Sequence, residues 1–203
     1  MKKLCVYCGA SSGMLPVYAD GARNLARKLV AAKIALVYGG GSVGLMGVLA
    51  DEVMRLGGDV TGVIPQALLK QEVGHHGLSR LHVVNDMHAR KAMMMDLSDG
   101  FIAMPGGFGT LEELFEVLTW AQLGLHDKPI GLLNIDGFFD GLVTFVGHQV
   151  DTGFLRQSYA AMLVQARQPA ELLQKLADFR PVHTEKILTQ HSAAELLLRP
   201  ADR

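Results

Sequence analysis

Two glycine-rich segments, residues 39–44 and 105–109, each join a short apolar run to a stretch with helical periodicity. A glycine-rich turn that leads from a strand into a helix leaves backbone N–H groups free, and the helix dipole favours negative charge there. Glycine also serves such turns simply because it tolerates positive φ. Two such turns at one sheet edge nevertheless favour an anion site, with phosphate as the usual ligand. The residues of the first turn expected to contact substrate are Gly40, Gly41 and Ser42.

Two basic residues, Arg90 and Lys91, follow the fourth apolar run, near the start of a predicted helix. The helix dipole disfavours cations at that position, so a solvated basic turn is one interpretation. Beside a predicted anion site, a role in binding the ligand is the better interpretation.

Glu113 has two interpretations. Thr110 and Glu113 have the Thr-x-x-Glu spacing of a capping box, in which Glu113 would accept a hydrogen bond from the Thr110 backbone N–H. Alternatively, Glu113 is catalytic, because a carboxylate beside a phosphate loop is electrostatically costly unless it serves the substrate. The local spacing leaves both interpretations open.

The elements that must position these residues alternate between strand and helix patterns. This order predicts an α/β fold, a Rossmann-like, doubly wound and mainly parallel sheet of six or seven strands with helices on both faces. One nucleotide-binding domain is expected over residues 1–180, followed by a weakly patterned tail over residues 181–203. The predicted strands are residues 4–8, 34–38, 60–64, 81–84, 101–104 and 130–133, with 161–164 as a candidate seventh. The first predicted helix begins at Pro16, and a short helix is expected within residues 66–80. The other predicted helices span residues 45–56, 86–99, 110–123, 138–150 and 169–176. Asp86 is the expected N-cap of the helix over 86–99.

The composition limits the classes of partner and cofactor. The chain has 203 residues, 49% of them hydrophobic, and a formal net charge of −1, which argues against a nucleic-acid partner. Cys5 and Cys8 are expected to be buried on opposite faces of a strand rather than to form a redox pair. No apolar stretch approaches the roughly 18 residues that span a membrane, so we expect a cytoplasmic protein with no membrane partner. The histidines lack zinc-site spacing, and no metal is expected.

Residues 105–113 read Pro-Gly-Gly-Phe-Gly-Thr-Leu-Glu-Glu, which resembles the Pro-Gly-Gly-x-Gly-Thr-x-x-Glu signature of the LONELY GUY (LOG) family. Residues 8–11, 39–47 and 87–91 are similar to other blocks of that family, and the resemblance extends over residues 3–165. LOG proteins are cytokinin-activating nucleoside 5′-monophosphate phosphoribohydrolases. The resemblance therefore implies hydrolysis of AMP or an N6-modified AMP, giving free base and ribose 5-phosphate; no cofactor is expected.

The resemblance also implies roles for particular residues. Arg90 and Glu113 would be the catalytic pair, and Glu72 aligns with a substrate-contacting acid when counted back from Arg90. The other residues implied in substrate binding are Lys91, Gly106, Gly107, Phe108, Gly109, Thr110, Leu111 and Glu112. Family members form homodimers with the active site near the interface, which would place the helix carrying Trp120 there.

Two other functional classes share parts of this pattern. Molybdenum-cofactor carrier proteins resemble the family in fold and glycine-rich loops, but a nonenzymatic carrier would not require Arg90 with Glu113. A dinucleotide oxidoreductase needs an acidic ribose anchor about twenty residues beyond a first-strand glycine fingerprint. The nearest candidate is Asp59, but the glycine run that precedes it, beginning at Gly39, follows the second predicted strand and not the first.

Overall fold

Seven parallel strands form a single sheet in the computed structural model, which describes residues 1–69 and 74–181. Most of these strands are buried along their length, as expected where helices cover both faces of a sheet. The strands are β1 (Lys3–Tyr7), β2 (Ala35–Tyr38), β3 (Val60–Pro65), β4 (Arg80–Val84), β5 (Gly100–Ala103), β6 (Ile130–Leu133) and β7 (Leu163–Ala166).

The strand order is β4-β3-β2-β1-β5-β6-β7, and every pairing is parallel. The chain builds one half of the sheet outward from β1 and then returns to place β5 on the other side of β1. The direction of winding therefore reverses between β1 and β5. In an open α/β sheet, such a switch point opens a crevice at the carboxyl ends of the strands, where ligands bind.

The helices divide between the two faces of the sheet. One hydrophobic core includes residues of the helices Pro16–Ala31, Gly44–Arg55 and Pro169–Asp178, and the other includes residues of the helices Met87–Asp96, Phe108–Gln122 and Asp140–Asp151. Cys5 lies in the second core and Cys8 in the first, so the prediction of two buried thiols on opposite faces is confirmed. The helices are α1 (Pro16–Ala31), α2 (Gly44–Arg55), α3 (Gln66–Leu69), α4 (Met87–Asp96), α5 (Phe108–Gln122), α6 (Asp140–Asp151), α7 (Gln157–Ala160) and α8 (Pro169–Asp178).

The fold class and six of the strands agree with the sequence-based expectation to within about a residue at each end. The seventh strand exists but begins two residues later than predicted, because the short helix α7 precedes it. Asp86 is the N-cap of α4, and its side chain accepts a hydrogen bond from the Ala89 backbone N–H at 2.9 Å. That cap prediction is confirmed.

The capping-box interpretation of Thr110 and Glu113 is wrong. Helix α5 begins at Phe108 with Gly107 as its N-cap, so Thr110 is the third residue of the helix rather than its cap. The spacing misplaced the start of the helix, because Phe108 and Gly109 already have helical geometry. The Glu113 side chain is therefore available for another role.

Two expectations fall partly or wholly outside the described residues: the position of Glu72 and the tail from residue 182 onward. Within the described ranges, no helix has the length and apolar character needed to cross a membrane.

Candidate active site

A cavity of about 420 Å³ opens at the carboxyl ends of β1, β2 and β3, beside the N-terminus of α5. Most of its wall is apolar, while Arg90, Glu112 and Glu113 supply charge. This combination suits a ligand with a flat apolar part and a polar part that needs orientation. The lining residues are Val6, Tyr7, Cys8, Gly9, Ala10, Gly39, Gly41, Val43, Met46, Ile64, Leu68, Met87, Arg90, Gly107, Gly109, Thr110, Glu112 and Glu113.

A second cavity, of about 460 Å³, shares Gly9, Ala10 and Gly107 with the first. It lies between the loop after β1 and the loop after β5, which the backbone hydrogen bond from Gly9 N to Pro105 O (3.0 Å) holds together. A Cβ on Gly106 would overlap the Thr110 hydroxyl and lie 2.9 Å from Gly9 N. Only glycine at position 106 therefore allows this approach of the two loops.

Arg90 lies on α4 and enters the first cavity with its hydrogen-bonding capacity only partly used. Its Nη2 donates to the Gly39 carbonyl at 3.4 Å and lies 3.6 Å from Glu113 Oε1, both long contacts. Its Nε is buried and has no partner within the part of the chain that the structure describes. A buried guanidinium with an unused donor can bind a substrate oxygen or nitrogen.

Glu113 is a buried carboxyl on α5 with a strongly shifted pKa. Its side chain is only 11% exposed. Burial and, to a smaller extent, the Glu112 carboxylate together raise the pKa to about 7, against the opposing effect of the Arg90 charge. A carboxyl whose pKa lies near neutrality can hold or release a proton during a reaction, as a general acid or base must.

Lys91 does not enter the cavity. It forms ion pairs with Glu112 (2.5 Å) and Glu116 (2.9 Å), both on α5. Burial opposes the charge on Lys91, but the two carboxylates outweigh that effect and raise its pKa. The two ion pairs of Lys91 therefore link α4 to α5, and the pair with Glu112 holds that side chain at the rim of the cavity.

The residues predicted from the sequence fall into three groups. The cavity lining brings together Gly41, Arg90, Gly107, Gly109, Thr110, Glu112 and Glu113, while Gly106 lines the second cavity. Phe108 is 92% exposed, and Leu111 packs against the core. Gly40 and Ser42 flank Gly41 without lining either cavity, and Glu72 lies outside the described residues.

Several residues of this site were missed at the sequence level. Gly39 accepts a hydrogen bond from Arg90, and a Cβ at that position would overlap Arg90 Nη2. Glu116 follows Glu112 by one helical turn, and this i, i+4 spacing could have indicated a shared partner for Lys91. The apolar residues Met46, Ile64, Leu68 and Met87 carried no signal, because core packing and ligand contact require the same residue types.

Known proteins provide independent comparisons. A protein-family model described as "Possible lysine decarboxylase" matches residues 46–176. The chain is 49% identical to the "Probable cytokinin riboside 5′-monophosphate phosphoribohydrolase LOGL2" of Oryza sativa subsp. japonica, over 93% of this chain and 77% of that protein. It is 50% identical to the "Cytokinin riboside 5′-monophosphate phosphoribohydrolase LOG5" of Arabidopsis thaliana, over 90% and 80%. It is 47% identical to the LOG1 protein of Arabidopsis thaliana, which has the same description, over 94% of this chain and 89% of that protein.

Solved structures with a similar fold are more distant in sequence. A molybdenum cofactor binding protein from Rippkaea orientalis has a TM-score of 0.65 at 19% identity, covering 87% of this chain and 96% of that one. The molybdenum cofactor carrier protein of Chlamydomonas reinhardtii has a TM-score of 0.66 at 20% identity, over 88% and 99%. At these identities the likeness shows a shared fold and nothing about the ligand.

Proposed function

Because the chain belongs to the LOG family of cytokinin riboside 5′-monophosphate phosphoribohydrolases, we propose that it hydrolyses the N-glycosidic bond of a purine nucleoside 5′-monophosphate. The products are the free base and ribose 5-phosphate. The substrate is AMP or an N6-modified AMP such as a cytokinin riboside monophosphate.

The observation that carries this proposal is the buried pair of Arg90 and Glu113 in the mostly apolar first cavity. Their nearest charged atoms are 3.6 Å apart, and the Glu113 pKa is about 7. Cleavage of an N-glycosidic bond passes through a cationic sugar, which needs a carboxylate near the anomeric carbon and a positioned water. Glu113 supplies the carboxylate, and Arg90 supplies a fixed positive charge for substrate oxygens or the departing base.

The glycine-rich loops hold the 5′-phosphate in this proposal. Gly107 is the N-cap of α5, and Gly107, Gly109 and Thr110 all line the first cavity. Free N–H groups at this helix start are suited to an anion. Binding energy from the phosphate then positions the sugar, so that the reacting atoms meet at little entropic cost.

The chemical step balances without a redox partner. The C1′–N bond breaks, and its electron pair leaves with the base. Water adds to C1′ and gives a proton to the Glu113 carboxylate, while a proton reaches the base from solvent or from the protonated Glu113. Arg90 keeps its charge throughout, because its guanidinium does not lose a proton in proteins.

The other functional classes account less well for these residues. A pyridoxal-dependent decarboxylase requires a lysine that forms a Schiff base, and no lysine is among the described residues that line the first cavity. A molybdenum-cofactor carrier shares the fold, yet carriage alone does not require Glu113 to be buried opposite Arg90. The relatives named as phosphoribohydrolases are about 50% identical to this chain, whereas the molybdenum cofactor carrier of Chlamydomonas reinhardtii is 20% identical.

The proposal extends to assembly and location. We propose a homodimer, supported by the apolar segment just past the C-terminus of α5, where Leu123 and Leu125 are each 65% exposed. A cytoplasmic location is supported by the free thiols of Cys5 and Cys8, which suit a reducing compartment.

The test is incubation of the protein with AMP, isopentenyl-AMP and adenosine, with free base and ribose 5-phosphate measured separately. Both nucleotides are expected to release base, and adenosine to react far more slowly because it lacks the phosphate anchor. Equal rates for AMP and adenosine would remove the role given to the glycine loops. No base from either nucleotide would overturn the proposed function.

A further inference from the structure

A turn outside the catalytic pair, residues 74–77, is bonded directly to the glycine loop after β2. The His75 backbone N–H donates to the Gly40 carbonyl at 2.9 Å, and Gly74 forms an antiparallel bridge with Gly41. The neighbouring carbonyl, that of Gly39, accepts the hydrogen bond from Arg90. The turn and Arg90 are thus attached to consecutive peptide groups of one loop.

This loop has little means of fixing its own conformation. Gly39, Gly40 and Gly41 have no side chains to pack, and Gly40 adopts a φ of +73°. Consecutive glycines leave the backbone with high conformational entropy. Bonds from outside the loop must therefore restrict the positions of its carbonyls.

The side chain of His75 fixes the turn through both ring nitrogens. Nδ1 accepts a hydrogen bond from the Gly77 backbone N–H at 3.1 Å, so Nε2 carries the ring proton. Nε2 donates to Asp51 Oδ1 at 2.9 Å, and Asp51 lies on α2, the helix that follows the glycine loop. The imidazole is only 12% exposed, whereas the Asp51 side chain is 69% exposed. A nearly buried ring therefore joins the turn to α2.

We infer that His75 is a positioning residue for the proposed hydrolysis. Asp51 holds the His75 ring, the His75 backbone holds Gly40, and the adjoining Gly39 carbonyl holds Arg90 opposite Glu113. The contacts of Arg90 to Gly39 (3.4 Å) and Glu113 (3.6 Å) are already long. A further displacement of about 1 Å can cost about a hundredfold in rate. The inference rests on the proposed function, because it gives His75 a role in that reaction.

The first experiment compares variants at either end of this connection. His75→Ala is expected to lower kcat for AMP by about tenfold with KM changed less than about threefold, since Arg90 is needed mainly in the transition state. His75→Asn keeps an acceptor for the Gly77 N–H and is expected to recover part of the loss. Asp51→Ala is also expected to lower kcat. Asp51→Asn keeps an acceptor oxygen for His75 Nε2 and is expected to lower kcat much less. His76→Ala, at the exposed neighbouring histidine, is the matched control and is expected to retain wild-type kcat.

The second experiment asks whether His75 acts through Arg90. His75→Ala is introduced into wild type and into Arg90→Lys, and the two reductions in kcat are compared as a double-mutant cycle. A clearly smaller reduction in the Arg90→Lys background is expected. Equal reductions in both backgrounds, or a lowered melting temperature with unchanged kcat, would overturn the inference. If His75→Ala does not fold, the same cycle is run with the exposed Asp51→Ala.

The two proposals fail in different ways. A wild-type protein that releases no base from AMP or isopentenyl-AMP overturns the proposed function and the role of His75 with it. A wild-type protein that releases base, combined with unchanged kcat in the folded His75 and Asp51 variants, overturns the role of His75 alone.

Discussion

Arg90 and Glu113 are both buried without full compensation of their polar groups. Arg90 has a donor without a partner within the described residues, and burial raises the Glu113 pKa to about 7. Burying such groups costs stability unless something pairs with them. A substrate that supplies an acceptor for Arg90 and a developing positive charge beside Glu113 would provide that pairing. The charges of Arg90 and Glu113 are therefore better compensated when the transition state is bound than when the site is empty.

Replacement of Glu113 by glutamine separates a catalytic role from a structural one. Glu113→Gln keeps the shape of the side chain but can neither accept a proton nor carry negative charge. Turnover of AMP is expected to fall by about a hundredfold or more, the usual scale for loss of a positioned acid–base group. The melting temperature is expected to change little or to rise, because a desolvated carboxyl is removed.

A turnover assay, a thermal melt and an AMP-binding titration on the purified variant check this prediction. Glu171→Gln, on α8 away from the cavity, is the matched control and is expected to keep wild-type turnover. A folded Glu113→Gln protein with wild-type turnover would contradict the mechanism.

The raised pKa of Glu113 also predicts how activity depends on pH. If the carboxylate is the active form, kcat/KM for AMP rises with pH through an apparent pKa of about 7. The substrate phosphate titrates near a pKa of about 6, so inhibition by ribose 5-phosphate is measured over the same range to separate the two. An acidic limb that survives in Glu113→Gln would assign the titration to another group.

Stability is expected to have the opposite pH dependence. Below the ordinary Glu pKa of 4.5, both the folded and the unfolded states are protonated at Glu113. Between 4.5 and about 7 only the unfolded state releases the proton, so the free energy of unfolding falls as pH rises, and the loss is complete above about 7. Chemical denaturation across this range, compared with Glu113→Gln, measures the difference; parallel curves would contradict the raised pKa.

At the scale of elements, the site depends on how closely α4 approaches the loop after β2. A Cβ on Gly39 would overlap Arg90 Nη2 and lie 3.1 Å from Arg90 Cζ, and the nearest atom outside Arg90, Met46 Sδ, is 3.4 Å away. Gly39→Ala is therefore expected to displace the flexible end of Arg90 while leaving the backbone packing intact. We predict a fall in kcat of about tenfold or more with a small change in melting temperature.

Gly141→Ala is a suitable control for Gly39→Ala, because a Cβ at position 141 meets nothing within 4 Å. Gly141 is the second residue of α6, and alanine is compatible with the helical backbone there. Wild-type kcat is expected for this variant. Wild-type kcat in Gly39→Ala as well would show that the Arg90–Gly39 contact is dispensable.

The elements differ in how far the sequence could predict them. β1 and β2 are short apolar runs next to glycine, so periodicity located them to within about one residue. The start of α5 could not be located, because Gly107 to Gly109 offer no side-chain cap and the Thr-x-x-Glu spacing gave a false signal two residues later. The Lys91 ion pairs depend on the crossing of α4 and α5, which no local pattern encodes. The same is true of the contact between Gly39 and Arg90.

At the scale of the whole molecule, α5 connects the site to an exposed apolar surface. Thr110 and Glu113 are buried near its N-terminus, while Phe115, in its middle, is 39% exposed and Leu123, just past its C-terminus, is 65% exposed. Leu125 is also 65% exposed, and large apolar side chains exposed next to each other in this way are typical of a protein–protein contact. If a second copy covers this surface, assembly and the geometry of the site share one helix.

We predict that the protein is a dimer in solution and that Leu123→Arg dissociates it. An arginine in the centre of an apolar interface would be buried without a partner, at a cost of several kcal/mol, whereas on an exposed monomer surface it costs little. Light scattering at micromolar concentration is expected to give twice the monomer mass for wild type and the monomer mass for the variant.

Phe154→Arg, at a side chain that is 89% exposed and distant in sequence from α5, is the matched control and is expected to remain dimeric. A monomeric wild type would contradict the proposed assembly. A dimeric Leu123→Arg would move the interface to another surface. If the dimer also supports the site through α5, kcat falls in Leu123→Arg as the protein is diluted through its dissociation range, and stays constant in Phe154→Arg.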